Sequence, residues 1–156
     1  MGKKVILAAL RAALALTFLH AGLAKIWDFS KWQSATPDFV LAIQRYEILH
    51  APDFNIALAI YLPWLEVLAA VALFIPRLRL GALTALLGMT AIFFAALLSA
   101  WQRGLDISCG CFGRDEVTVD FRGPLLRDLC ILAALAVLLV REGQAIRAFD
   151  SRQVAR

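Results

Sequence analysis

The chain has 156 residues, of which 62% are hydrophobic and 18% are charged, and its net charge is +4. Soluble domains are about 45–50% apolar and about 25% charged, so an ordinary cytosolic enzyme, a disordered segment and a small disulfide scaffold are excluded. Most cations flank apolar runs and form no basic face, which argues against a nucleic-acid partner. We therefore expect one integral membrane domain over residues 1–156, surrounded by lipid.

Four apolar runs are long enough, or nearly so, to cross a hydrocarbon core about 30 Å thick as helices. They cover residues 5–26, 55–75, 80–101 and 125–140. Only helices pair their backbone groups within one segment in lipid, so the predicted fold is an all-α membrane four-helix bundle. The first run imitates a secretory signal peptide. It is longer than the usual apolar region of about 7–15 residues and contains Arg11, so we expect it to be retained.

A short segment between the first two runs has a different pattern. The apolar residues 39–43 are followed by the polar residues 44–47, with Pro37 before them and Pro52 after them. This pattern predicts a short amphipathic helix lying at the outer membrane surface.

The distribution of cations predicts the orientation. Lys3 and Lys4 precede the first run, and Arg77 and Arg79 lie in the short turn between the second and third runs. Because cytoplasmic loops are enriched in Lys and Arg, we expect both termini in the cytoplasm of a bacterium, with the chain in its inner membrane. The loop between the third and fourth runs then faces the extracytoplasmic side.

That loop contains two cysteines separated by one glycine, Cys109 and Cys111. Gly110 allows the tight backbone turn that a disulfide between them needs. Such a small ring gains little stability and is easily reduced, which favours a role in thiol exchange. The alternatives are a two-thiolate clamp for Cu(I) or zinc and an inert structural bond. We predict no metal site, because two thiolates underfill zinc and no neighbouring ligand pattern completes one.

Cys130, the third cysteine, lies about six residues into the fourth run. A single cysteine with apolar neighbours is usually a small core residue, and this is the interpretation we favour. The alternative is a resolving thiol for the Cys109–Cys111 pair.

Ionisable residues within the spans are expected to face the interior of the bundle. Counting from the helix ends, Arg11 can reach Glu66, and helical spacing places Arg11 and Lys25 on one face with Glu66 opposite. We favour a structural pair that fixes the helix register. The alternative is a site for protons or for the headgroup of a quinone, which makes a quinone the candidate cofactor.

Four segments of the chain resemble the MauE branch of the DoxX/MauE membrane family. They are Arg11 with residues 20–25, residues 62–66, residues 109–113, and Arg127 with Asp128. The resemblance implies a four-helix membrane bundle associated with periplasmic thiol redox. It further implies maturation of the disulfide-rich small subunit of methylamine dehydrogenase beside a thioredoxin-like partner. It makes Arg11, Lys25, Glu66 and Arg127 supporting residues of the site.

The leading hypothesis is therefore a membrane thiol–disulfide oxidoreductase in which Cys109 and Cys111 form the catalytic redox pair. Its partner would be a periplasmic thioredoxin-like protein or a disulfide-containing client, and a membrane quinone is the candidate electron acceptor. The alternative is a non-enzymatic membrane scaffold or assembly factor whose Cys-Gly-Cys loop is a structural or metal-binding clip. A small-solute transporter is less favoured, because the chain has neither broken helices nor paired repeats.

Overall fold

A computed structural model describes residues 2–28, 33–46, 52–104 and 122–154. Within these ranges the chain forms five α-helices. They are α1 Gly2–Ile26, α2 Thr36–Arg45, α3 Pro52–Ala72, α4 Arg79–Gln102 and α5 Arg122–Val154. Two strands of two residues each, β1 Trp27–Asp28 and β2 Gln33–Ser34, pair antiparallel between α1 and α2, with Trp27 opposite Ser34. The all-helical fold class is confirmed, whereas the short strand pair was not predicted.

Four of these helices are long and apolar enough to cross a membrane. The candidate spans are Val5–Ile26, Asp53–Ala72, Arg79–Gln102 and Arg122–Ala145. The four predicted runs therefore correspond to the four spans, and the chain is a multi-pass membrane protein. The fourth helix is longer than predicted at both ends, because charged residues before and after the apolar run continue the helix.

The four long helices pack around a common core. Contacts join α1 to α3, α3 to α4, α4 to α5 and α5 to α1, so these helices form a closed ring. The core side chains include Leu14 and Phe18 of α1, Leu73 after α3, Leu86 of α4 and Leu135 of α5. Around this core the outer surface is apolar. Large apolar side chains that are 64–74% exposed there are Val5, Ile6, Leu16, Tyr61, Leu68, Ile92 and Leu126. Soluble monomers rarely expose so much apolar surface, whereas a lipid-facing surface requires it.

The predicted amphipathic helix is α2. Its apolar side chains Phe39 and Ala42 are buried against Ala59 of α3, while Asp38, Gln44 and Arg45 are exposed. The apolar side of the helix therefore packs on the bundle. Leu41, which is half exposed, lies about 200° around the helix from Phe39 and so on the opposite side.

Helices α1 and α3 lie antiparallel and are displaced along their axes. Gly22 fixes the displacement: a Cβ atom there would lie 2.8 Å from Val67 Cγ2 and 2.9 Å from the carbonyl oxygen of Pro63. Because Pro63 lies 11 residues into α3, the first part of α3 extends about 16 Å beyond this contact. Helix α2 covers that extension. The displacement places Lys25, near the end of α1, at the level of Glu66 in the middle of α3.

Candidate functional site

A buried ion pair joins α1 to α3. Lys25 Nζ lies 2.7 Å from both Oε1 and Oε2 of Glu66, and each side chain is only 4% exposed. An isolated charge at this depth would be very unfavourable, so each partner makes the other tolerable. The prediction that Lys25 and Glu66 face one another inside the bundle is confirmed.

Two aromatic rings flank the ammonium group. The ring centroids of Phe39 in α2 and Phe93 in α4 each lie 5.5 Å from Lys25 Nζ. This distance allows cation–π attraction, which is stronger where the cation is shielded from water. The ion pair therefore connects four helices, because α1 and α3 supply the charges and α2 and α4 supply the rings.

A second ion pair lies at the start of α5. Arg127 Nη2 is 2.9 Å from Asp128 Oδ1, and Arg127 Nε donates to the same oxygen at 3.0 Å. Asp128 is buried, whereas the Arg127 side chain is partly exposed. A cavity of about 50 Å³ is lined by both pairs together with Thr17 and Thr90. This volume has room for a few water molecules.

We refer to Lys25, Glu66, Arg127 and Asp128 as the polar cluster. The structure thus brings together three of the four predicted supporting residues, Lys25, Glu66 and Arg127. Phe39 and Phe93 were missed, because nothing in the sequence distinguishes them from other apolar residues of their helices.

Arg11, the fourth predicted supporting residue, lies elsewhere. Its Nη2 contacts Glu142 Oε2 at 3.3 Å, and Arg79 Nη1 contacts Glu142 Oε1 at 2.8 Å. Arg79 Nε also donates to the carbonyl oxygen of Leu73 at 3.2 Å. The predicted Arg11–Glu66 pair is therefore wrong. Arg11 lies fourteen positions before Lys25 in α1, a distance of about 21 Å along the helix axis. The prediction failed because it estimated the depth of each residue from the helix ends and did not include the displacement of α3 along α1.

Glu142 was missed because it follows the apolar run in which the fourth helix was predicted to end. A carboxylate directly after a membrane span, beside Arg141, was a usable signal for a pair at the membrane boundary. Arg11 Nε is buried and makes no hydrogen bond within the described part of the chain. The Arg11 guanidinium is therefore held by the contact of its Nη2 with Glu142 Oε2 and by the attraction between the two charges.

The predictions for the three cysteines compare differently with the structure. Cys109 and Cys111 lie outside the described residues, so their pairing and their redox role stay predictions. Cys130 lies in α5 and is exposed, so the interpretation as a core residue is wrong. Two residues separate it from buried Asp128, a rotation of about 200° around the helix, which turns Cys130 away from the polar cluster. Whether it acts as a resolving thiol stays open.

The residues that flank the cysteine loop lie at the same end of the bundle as the polar cluster. Helix α4 ends at Gln102, and Gly104 beyond it has a φ of 66°, a conformation that glycine adopts without strain. The Arg103 guanidinium donates to the carbonyl oxygen of Tyr46 and thereby joins the ends of α4 and α2. On the other side of the loop, Asp128 lies only six residues, about 9 Å, from the start of α5.

In the four described ranges, no group of three or more His, Cys, Asp or Glu side chains could hold a metal ion. The polar cluster consists of two ion pairs, Lys25–Glu66 and Arg127–Asp128, which can position the helices and hold a small number of water molecules in the cavity between them.

Comparison with known proteins identifies the family. The family described as methylamine utilisation protein MauE matches residues 3–141. The matched range includes all of α1 except Gly2, all of α2, α3 and α4, the cysteine loop and most of α5. No curated protein and no solved structure matches the chain. The match covers most of the chain, and the chain belongs to the MauE family.

Proposed function

We propose that this protein carries out thiol–disulfide exchange at the extracytoplasmic face of the bacterial inner membrane. In this proposal Cys109 and Cys111 cycle between a dithiol and a disulfide. The observation that carries it is the family match over residues 3–141, which includes the Cys-Gly-Cys sequence. A disulfide in so small a ring is readily reduced, as exchange requires.

The position of the polar cluster supports the proposal. Cys109 follows Gly104 by five residues, which span at most about 18 Å even when fully extended. The cysteine pair is thus tethered close to the end of the bundle at which Asp128 and Lys25 are buried. In this account the polar cluster has a positioning role, because it fixes the helices that hold both ends of the loop.

The distribution of charge supports the proposed orientation. The cluster of Arg11, Arg79 and Glu142 lies at the opposite end of the bundle from the cysteine loop, and carries a net positive charge. Lys3 and Lys4 lie in the first turn of α1, at that end. An excess of Arg and Lys is typical of the cytoplasmic side, so we place both termini in the cytoplasm and the loop outside.

The chemistry of exchange is an attack of a thiolate on one sulfur of a disulfide. When the loop is oxidised, a thiolate of the partner attacks it, one S–S bond breaks and a mixed disulfide forms. The second thiolate of the partner then releases the loop as a dithiol, and the partner leaves with two electrons fewer. We propose a thioredoxin-like protein or a disulfide-containing client as partner. The family description points to proteins of methylamine utilisation, such as methylamine dehydrogenase.

Capture of the mixed disulfide tests this proposal. Cys109→Ser and Cys111→Ser are expressed in the native host, quenched with acid and alkylated, and adducts are separated without reductant and identified by mass spectrometry. Exchange is reversible, so the remaining thiolate of each variant can attack the disulfide of an oxidised partner. We expect one of the two variants to accumulate this adduct, which dithiothreitol releases, because the missing cysteine can no longer displace the partner from the loop. Cys130→Ser is the matched control and should resemble the wild type.

The absence of an adduct in both variants, together with retained maturation of the client in Cys111→Ser, would contradict the proposal. That result would favour the non-enzymatic scaffold, for which the loop is a clip.

A further inference from the structure

A second charge cluster lies at the end of the bundle opposite the cysteine loop, and we refer to it as the basic cluster. Its members are Arg11 of α1, Arg79 at the first position of α4, and Glu142 of α5. The two oxygens of Glu142 each contact one guanidinium, at 3.3 Å for Arg11 and at 2.8 Å for Arg79. Two cations therefore share one carboxylate, and the cluster keeps a net charge of +1.

Glu142 leaves several hydrogen-bond donors of the two arginines unused. In the described part of the chain, Arg11 donates only from Nη2, and its Nε is buried without an acceptor. Arg79 donates from Nη1 to Glu142 and from Nε to the carbonyl oxygen of Leu73, whereas its Nη2 makes no hydrogen bond within the same ranges. The three charged side chains are 17–19% exposed. The unused donors and the net positive charge are therefore accessible to a further anion.

The two guanidinium groups are close enough to bind one phosphate together. Because both contact the same carboxylate, Arg11 Nη2 and Arg79 Nη1 are no more than about 9 Å apart. A phosphate that accepts one charge-assisted hydrogen bond of about 2.8 Å from each arginine fits within this distance. The planar fork of N–H groups on a guanidinium also matches the arrangement of phosphate oxygens.

The basic cluster lies at the level of the phospholipid headgroups. The candidate span of α4 has 24 residues and starts at Arg79, which corresponds to about 36 Å at helical rise. Since the hydrocarbon core is only about 30 Å thick, Arg79 lies at its boundary with the headgroup layer. Cations also exceed acidic residues at this end of the described chain, which attracts anionic lipids. The cations are Lys3, Lys4, Arg11, Arg77, Arg79, Arg141, Arg147 and Arg152, and the acidic residues are Glu142 and Asp150.

We propose that the basic cluster binds the phosphate of an anionic phospholipid, a site that goes beyond the proposed thiol exchange. Exposed apolar neighbours favour a lipid over free phosphate, because Leu78 and Leu80, which flank Arg79, are 54% and 41% exposed. The acyl chains cover such side chains while the phosphate accepts hydrogen bonds from Arg11 and Arg79. An anionic headgroup is favoured over a zwitterionic one, which would add its own cation to the net positive charge of the cluster.

The headgroup preference of the full-length wild type is the first test. The purified chain in a non-ionic detergent is titrated with dioleoyl phosphatidylglycerol and, separately, with dioleoyl phosphatidylcholine, and bound lipid is measured by native mass spectrometry. Because the acyl chains are identical, a difference in affinity reports the headgroup. We expect phosphatidylglycerol to bind at least about fivefold more tightly, which corresponds to about 1 kcal/mol. Equal affinities would overturn the inference.

A competition experiment separates a lipid phosphate from a free one. The titration with phosphatidylglycerol is repeated in the presence of excess inorganic phosphate at constant ionic strength. We expect the lipid to remain bound, because its acyl chains add contacts that inorganic phosphate lacks. Loss of the preference for phosphatidylglycerol under these conditions would assign the cluster to free phosphate and overturn the lipid assignment.

Three substitutions locate the site and separate lipid binding from folding. Arg11→Gln removes one cation of the cluster and should weaken binding of phosphatidylglycerol by about tenfold, or about 1.4 kcal/mol. Glu142→Gln removes the carboxylate that competes with the phosphate, so it should strengthen binding. Arg141→Gln is the matched control, since Arg141 is an exposed cation at the same end of α5. Salt screens such an exposed charge, and the affinity should change by less than about twofold.

Equal affinities in Arg11→Gln and Arg141→Gln would overturn the inference. A loss in Glu142→Gln as large as that in Arg11→Gln would also overturn it, because that result reports damage to the ion pairs and not loss of a phosphate site. If Arg11→Gln fails to fold, Arg79→Gln replaces it with the same expected loss, and the headgroup preference of the wild type needs no variant. Lipid binding is measured without redox chemistry, so its failure leaves thiol exchange untouched, and failure of mixed-disulfide capture leaves the lipid site.

Discussion

Removing one charge of the buried Lys25–Glu66 pair should destabilise the protein strongly, whereas removing both charges together should not. Lys25→Met leaves the Glu66 carboxylate buried without its cation, and both side chains are only 4% exposed. Breaking such a buried pair by removing one partner costs about 3–5 kcal/mol. We expect Lys25→Met to lower the free energy of unfolding by this amount. The double variant Lys25→Met/Glu66→Leu should recover most of the loss, because apolar replacement of a buried pair is often neutral.

The assay is reversible unfolding in mixed micelles, with the wild type, both single variants and the double variant measured as a cycle. The coupling free energy between the two positions should be at least about 3 kcal/mol. Arg141→Met is the control, since Arg141 is exposed in α5, and its effect should stay within about 0.5 kcal/mol. A coupling energy below about 1 kcal/mol, as measured for exposed pairs, would refute the argument that the pair is buried and mutually dependent.

Three further predictions concern packing, the opposite charge cluster and the third cysteine. Gly22→Ala should lower the free energy of unfolding by about 1–3 kcal/mol, because its Cβ would lie 2.8 Å from Val67 Cγ2. Gly88→Ala is the control, because no atom lies within 4 Å of the added Cβ, and it should leave the free energy of unfolding unchanged. Equal losses of stability in Gly22→Ala and Gly88→Ala would contradict the tight α1–α3 contact. Glu142→Gln should cost about 1–2 kcal/mol in the same assay, less than Lys25→Met because Glu142 is 19% exposed. A loss as large as that of Lys25→Met would contradict this ranking. Cys130→Ser should leave the redox cycling of the loop unchanged in maleimide mass-shift assays; a block in reoxidation would make Cys130 the resolving thiol.

The sequence was sufficient for the number and approximate bounds of the spans, because each consists of a long run that lipid requires to be apolar. Helix α2 was also predictable, since an apolar block followed by polar residues indicates one buried face. The extension of α5 to Val154 was not, because hydropathy detects the part of a helix that lies in lipid and is silent on its polar continuation.

The charge pairs show where sequence reasoning reached its limit. Helical periodicity placed Lys25 inside the bundle, but the partner of Arg11 depended on how far α3 is displaced along α1. That displacement follows from Gly22 meeting Pro63 and Val67, a packing detail that periodicity does not contain. The exposure of Cys130 depends in the same way on packing: the side of α5 that carries Asp128 faces the bundle, so Cys130 lies on the exposed side.

The measurement that tests the central claim most directly is the redox state of Cys109 and Cys111 in intact cells. Cells are quenched with acid before, during and after a short dithiothreitol pulse, and thiols are alkylated with a mass-shifting maleimide. The account predicts that both cysteines are protected at rest, become alkylatable during the pulse and are protected again after the reductant is removed. Cysteines that stay alkylatable throughout, or stay protected during the pulse, would contradict it.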